Sequence, residues 1–134
     1  MNDNSLEQAH REAEKIFRTL LPQKGLAVRA EQIELCHAML AALFRNKIAL
    51  CDAGVGIGKT YAYLTACILW RKYSRSPKPV VISTSSVALQ NAILGEYLPF
   101  LSQVFLENRI VQTPIRAVIR KGKERFVCDE RLSQ

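Results

Sequence analysis

Eight consecutive residues, Ala53-Gly54-Val55-Gly56-Ile57-Gly58-Lys59-Thr60, constrain this chain more than any other feature in it. Three glycines in alternate positions let a backbone wrap so tightly that successive N–H groups point inward, which side chains at those positions would prevent. The spacing is that of the P-loop, with Ala53 where its first glycine usually stands. Average residue usage produces such a match by chance in on the order of 1% of chains this long. The flanks agree with more than a flexible glycine-rich turn: Ile48-Ala49-Leu50-Cys51 reads as a buried strand, and a helix-compatible run follows from Lys59 to about Tyr73. In that reading the backbone of residues 53–58 cradles the phosphates of ATP. Lys59 reaches the β and γ phosphates, and the Thr60 hydroxyl coordinates Mg²⁺. The helix beginning near Lys59 adds its dipole and free N–H groups.

The rest of the chain supplies further alternation of helix and strand. Ser5-Leu6-Glu7-Gln8 reads as a capping box, and Leu6, Ala9, Ala13, Ile16, Phe17 and Leu20 recur on one helix face. Pro22 and Gly25 are expected to end that helix. A second helix is expected from about Ala30 to Phe44. Ser74 to Pro79 reads as a loop, Val80 to Thr84 as a strand, and Val87 to Leu94 as a helix capped by Ser85 or Ser86. An irregular stretch with Pro99 and Pro114 follows, with helix around Phe100 to Phe105. Ile115 to Ile119 reads as a third strand. Strands alternating with helices predict an α/β fold: a partial RecA-like P-loop domain whose parallel sheet is flanked by helices and preceded by N-terminal helices.

Composition is that of a folded domain, with 49% apolar and 23% charged residues. No apolar run approaches the roughly 18–20 residues needed to span a bilayer, and the polar, acidic N-terminus is no signal peptide. A cytoplasmic location with no membrane partner is therefore expected. The net charge of +7 arises mostly in the last two-thirds of the chain and suits a polyanionic partner. Four cysteines, Cys36, Cys51, Cys67 and Cys128, lie far apart without a Cys-x-x-Cys pair, against a disulfide framework or a self-contained zinc site. His10 and His37 lie on the first two helices without paired ligands and read as structural or solvated.

Four segments in order resemble the DinG/XPD family of superfamily 2 DNA helicases. Asp52 to Leu64 is similar to that family's motif I, which usually begins Glu-Ala-Gly and continues into a Tyr-Leu pair. Val80-Val81-Ile82-Ser83-Thr84-Ser85-Ser86-Val87-Ala88-Leu89-Gln90 resembles motif Ia. Arg29-Ala30-Glu31-Gln32 resembles the Arg-x-x-Gln element upstream. Lys121-Gly122-Lys123-Glu124-Arg125-Phe126-Val127-Cys128 resembles the segment supplying the first iron–sulfur ligand. Asp52, Ile57 and Phe126 depart from the usual Glu, Thr and Tyr, and none removes a phosphate-binding group. The resemblance implies that Gln32 contacts adenine, that Thr84, Ser85, Ser86 and Gln90 touch the backbone of single-stranded DNA, and that Cys128 ligates a [4Fe–4S] cluster in a full-length parent. Helix capping is the plain alternative for Ser85 and Ser86, as is a small buried side chain for Cys128. Arg116, Arg120, Lys121, Lys123 and Arg125 form a basic group that either faces DNA phosphates or solvates a surface.

The resemblance also shows what is lacking. Hydrolysis needs a Walker B carboxylate at the end of an apolar strand and a second motor domain. The sole Asp-Glu, Asp129-Glu130, follows Arg125-Phe126-Val127-Cys128, which does not read as a buried strand. The expectation is an N-terminal portion of helicase domain 1 spanning 1–134. It comprises N-terminal helices about 5–44, a P-loop core about 46–120 and the start of an iron–sulfur segment at 121–134. Such a piece binds ATP but depends on the remainder of the helicase for 5′-to-3′ unwinding. A non-catalytic nucleotide- or DNA-binding remnant is the alternative. A self-contained P-loop kinase or small GTPase accounts for neither Leu89-Gln90 nor the segment ending in Cys128.

Overall fold

The computed structural model describes residues 3–27, 29–45, 58–75, 80–84, 87–121 and 126–132. The expected strand at Ile48 to Cys51, loop residues Ala53, Gly54, Val55, Gly56 and Ile57, and Ser85, Ser86, Lys123 and Arg125 all lie outside them. The chain divides into two compact units, Met1–Ser76 and Pro77–Gln134, at the Pro- and Ser-rich segment expected to be a loop.

The first unit is helical. Helix α1 (Asp3–Lys15) passes through a wide π-helical turn, Ile16–Leu20, into the short α2 (Leu21–Gln23), and α3 (Ala30–Phe44) and α4 (Lys59–Ser74) follow. Of the apolar face read from the sequence, Ala9, Ala13, Ile16, Phe17 and Leu20 are covered and Leu6 is half-buried. From α3, Ile33, Cys36, Leu40 and Phe44 join them. Helix α4 packs against both α1 and α3, and its residues 64 through 69 are buried without a break. A helix covered on several sides has no polar face to display, which is why Ala66-Cys67-Ile68-Leu69 is apolar throughout. Glu12 ties α1 to the end of α4, accepting hydrogen bonds from Lys72 Nζ at 2.6 Å and from the Tyr73 hydroxyl at 3.0 Å. Burial, and then the Glu12 carboxylate, push the Tyr73 hydroxyl up to about 12.

Pro22 does not end the first helix, as the sequence suggests. The helix widens one turn ahead of it, and the Leu21 N–H bonds to the Ile16 carbonyl, five residues back. Proline lacks the N–H that would serve the carbonyl four residues earlier, and its ring crowds that carbonyl, so a wider turn relieves both. The same device recurs at Pro99. There a π-helical turn, Ile93–Tyr97, ends with the Leu98 N–H on the Ile93 carbonyl, and helix continues through the proline. Gly25 does end the helix: at φ 94° it allows the Leu26 N–H to close on the Leu21 carbonyl at 3.2 Å.

In the second unit, β1 (Val80–Thr84) leads to α5 (Val87–Ala92), the π-helical turn, and α6 (Leu98–Glu107), then to β2 (Ile115–Lys121) and β3 (Phe126–Leu132). Buried Ile93, Leu98, Leu101, Val104, Phe105 and Ile110 line its core. Asn108 and Arg109 close α6. The Ile110 N–H reaches the Phe105 carbonyl at 2.8 Å and the Arg109 N–H the Leu106 carbonyl at 3.2 Å, a Schellman arrangement with Arg109 left-handed at φ 59°.

The sheet differs from expectation. Its strand order is β1-β3-β2, and β3 runs antiparallel to both neighbours, pairing Ile82 with Cys128 and Ile119 with Cys128 across its two edges. Asp129 and Glu130 therefore do lie in a strand, and in the central one. Two causes misled the sequence reading. Strands separated by only four residues can pair antiparallel, whereas parallel pairing needs a crossover of a dozen or more. And a central place in a sheet is conferred by the neighbours, which local polarity at Asp129-Glu130-Arg131 does not report. β1 and β2 do run in the same direction, each flanking β3.

Candidate functional site

Helix α4 begins where the glycine run ends. Gly58 precedes it with φ 70° and ψ 29°, a left-handed conformation that residues with a side chain adopt only at a cost. Space excludes a side chain as well: a Cβ on Gly58 would sit 2.3 Å from Gln32 Nε2. Lys59 opens the helix with its side chain exposed, and Thr60 beside it is half-buried. No side chain caps this helix start. Its first N–H groups have no intrahelical partners, which is the condition for holding an anion there.

Gln32 comes to this turn from the first turn of α3. The helix starts after Arg29, whose extended backbone (φ −131°, ψ 125°) lets its carbonyl take the Ile33 N–H at 3.2 Å. One turn of helix then puts Gln32 against Gly58, where its Nε2 donates to the Gly58 carbonyl at 2.9 Å. The side chain is only 6% exposed. The structure thus brings together Gln32, Gly58, Lys59 and Thr60, which stand 26 to 28 residues apart in two segments of the chain.

Sequence comparison gives this arrangement its relatives. The chain is 36% identical over 115 residues to the 3′-5′ exonuclease DinG of Bacillus subtilis, covering 86% of this chain and 11% of that protein. It is 33% identical over 110 residues to the ATP-dependent DNA helicase YoaA of Escherichia coli, covering 82% of this chain and 15% of the relative. YoaA of Haemophilus influenzae is 31% identical over 111 residues, 83% of this chain and 16% of its own length. The chain belongs to the DinG helicase family. It spans between 11% and 16% of the length of these curated relatives. No protein-family profile matches the chain, and no solved structure matches it.

Other residues that the DinG resemblance singles out are differently placed. Thr84 ends β1, opposite Phe126. Gln90, on α5, is 1% exposed, and its Nε2 has no hydrogen-bond partner among the described residues. Its side chain lies beneath the surface of the second unit, not on it. Arg116 is exposed on β2, and Arg120 and Lys121 follow on the same strand. Cys128 lies at the middle of β3. Among the described residues no group of three or more His, Cys, Asp or Glu side chains is arranged to hold a metal ion. Cys36 and Cys67 are buried and form no disulfide, as their apolar positions suggest. Burial raises the Cys36 thiol far above its ordinary range, the reverse of what a thiolate ligand requires. Cys36 and Cys67 are therefore not suited to ligate an iron–sulfur centre.

One polar cluster escapes a reading of the sequence. His10 Nδ1 and His37 Nδ1 lie 2.6 Å apart, and His37 Nε2 lies 2.5 Å from Glu14, whose other oxygen accepts from Arg18 Nε at 2.6 Å. The two histidines bridge α1 and α3, a structural role. The relay works when His37 donates through Nε2 to Glu14 and a single proton lies between the facing Nδ1 atoms. Burial first, then the charges of His37 and Arg45, lower His10 below the ordinary imidazole range, while Glu14 pulls it the other way. The hydrogen bonds from His37 and then Arg18 hold Glu14 below the usual carboxylate range. His10 and Glu14 are spaced four apart on one helix face, which the sequence does show. Their meeting with His37 depends on how α3 packs, which it does not.

Proposed function

We propose that this chain supplies the ATP-binding part of a DinG-type ATP-dependent DNA helicase. The observation that carries the reading is the start of α4: a left-handed Gly58 that tolerates no side chain, followed by an exposed Lys59 and by Thr60. Preceded in sequence by Ala53-Gly54-Val55-Gly56-Ile57, that turn suits a triphosphate. The N–H groups at the helix start, which have no intrahelical partner, and the Lys59 ammonium would bind its oxygens, and the Thr60 hydroxyl would hold Mg²⁺. These residues bind and orient the phosphates. Hydrolysis also calls for a carboxylate near Mg²⁺ to position the attacking water, and strand separation for a second motor domain.

The finer parts of the reading rest on family membership. They are the DNA backbone as partner of Thr84, Ser85 and Ser86, without the buried Gln90, unwinding with 5′-to-3′ polarity, and a RecA-like sheet in which β1 and β2 keep their common direction. An iron–sulfur centre enters no step of it. The deciding experiment is calorimetric titration of the chain with Mg-ATP, with Lys59→Ala in parallel. Saturable binding that the substitution weakens at least tenfold supports the reading. Equal binding by both proteins would refute it.

A further inference from the structure

The resemblance assigns Gln32 to adenine, yet the amide is engaged elsewhere. Its Nε2 donates to the carbonyl of Gly58, and that same carbonyl accepts the first intrahelical bond of α4, from the Ala62 N–H at 3.3 Å. A carbonyl oxygen has two lone pairs, so both donors are accommodated. The consequence lies on the other side of the peptide. No described peptide bond is cis. In a planar trans peptide the C=O of one residue and the N–H of the next point in opposite directions. Two donors fixing the Gly58 carbonyl therefore fix the direction of the Lys59 N–H, one of the donors at the helix start that have no intrahelical partner.

We propose that Gln32 is a positioning residue for the phosphate-binding turn: by holding the Gly58 carbonyl it aims the Lys59 N–H at the phosphates, whatever base the nucleotide carries. This rests on the reading of that turn as a phosphate site and adds base-independent control of it from α3. Three observations support it together. The donor-to-carbonyl distance is 2.9 Å, the side chain is 6% exposed, and a Cβ on Gly58 would collide with the same Nε2. The amide is packed against the backbone of the turn, and one of its two N–H donors is committed there.

The test separates base from phosphate. The full chain and Gln32→Met, which keeps the length of the side chain and loses the donor, are titrated with Mg-ATP, Mg-GTP and Mg-tripolyphosphate. Loss of one neutral hydrogen bond predicts weakening by about three- to tenfold, and by the same factor for all three ligands. A loss confined to ATP would make Gln32 an adenine reader and overturn the proposal. Unchanged affinity for all three would overturn it as well. If the unaltered chain binds none of them, the phosphate-site reading itself fails, a distinct result that takes this inference with it. Should Gln32→Met not fold, the side-chain amide resonances of Gln32 in the unaltered protein decide. Equal displacement by ATP and tripolyphosphate supports the proposal, and displacement by ATP alone overturns it.

Discussion

Replacing Gly58 by alanine tests the junction of α3 and α4 directly. At φ 70° an L-residue carries a penalty of about 1–2 kcal/mol. The new Cβ would lie 2.3 Å from Gln32 Nε2 and 3.3 Å from its Cδ, so the amide must leave. Its bond to the Gly58 carbonyl is then lost, worth about 0.5–1.5 kcal/mol, with a further cost if the displaced amide stays buried without a partner. Together these place Gly58→Ala at about 2–4 kcal/mol of destabilisation. The contribution of the contact is isolated by repeating the substitution in a Gln32→Ala background, where nothing opposes the Cβ. There the cost should fall to the backbone penalty alone, about 1–2 kcal/mol. Urea denaturation followed by far-ultraviolet circular dichroism measures all four proteins. Additivity within about 0.5 kcal/mol would mean the two residues do not interact, and the reasoning from the 2.9 Å bond would fail.

Two other expectations concern stability. His10 is lowered in the folded state, so its contribution is intact above the ordinary imidazole value of about 6.5 and is lost as pH falls toward the lowered one. Glu14, also lowered, adds a second loss as pH falls through and below the carboxylate range. The urea midpoint should therefore decline from pH 7 to 5 and again below 5, and His10→Gln should flatten the first decline; an unchanged profile in that variant would exclude the relay as its source. Arg109 occupies a left-handed position that glycine fills without penalty, so Arg109→Gly should stabilise the second unit by about 0.5–1 kcal/mol after the entropy cost of glycine. A lower melting temperature would show that the Arg109 side chain contributes more than its backbone strain removes.

Membership of the DinG family was legible before any coordinates, because it rests on short segments whose order survives in a linear string: Arg29 to Gln32, the glycine run to Thr60, Val80 to Gln90 and Lys121 to Cys128. The helix faces were legible for a related reason. The 3.6-residue period of Ala9, Ala13, Ile16, Phe17 and Leu20 names its own buried side whatever covers it. Prolines misled, since Pro22 and Pro99 are local signals whose effect depends on whether the preceding turn can widen.

What the sequence determined by itself is therefore local chemistry: a glycine run able to wrap, a lysine and a threonine directly after it, helices with one apolar stripe. Tertiary structure decided everything that joins distant segments. It set Gln32 on the carbonyl of Gly58 and not merely upstream of a loop, closed His10 and His37 onto Glu14, buried Gln90, and inserted β3 antiparallel between β1 and β2. The physical reason is common to all four. Helix period and backbone freedom act over a few residues and leave a pattern in the string. Packing and strand pairing depend on which surfaces meet, and those surfaces come from residues far apart in it.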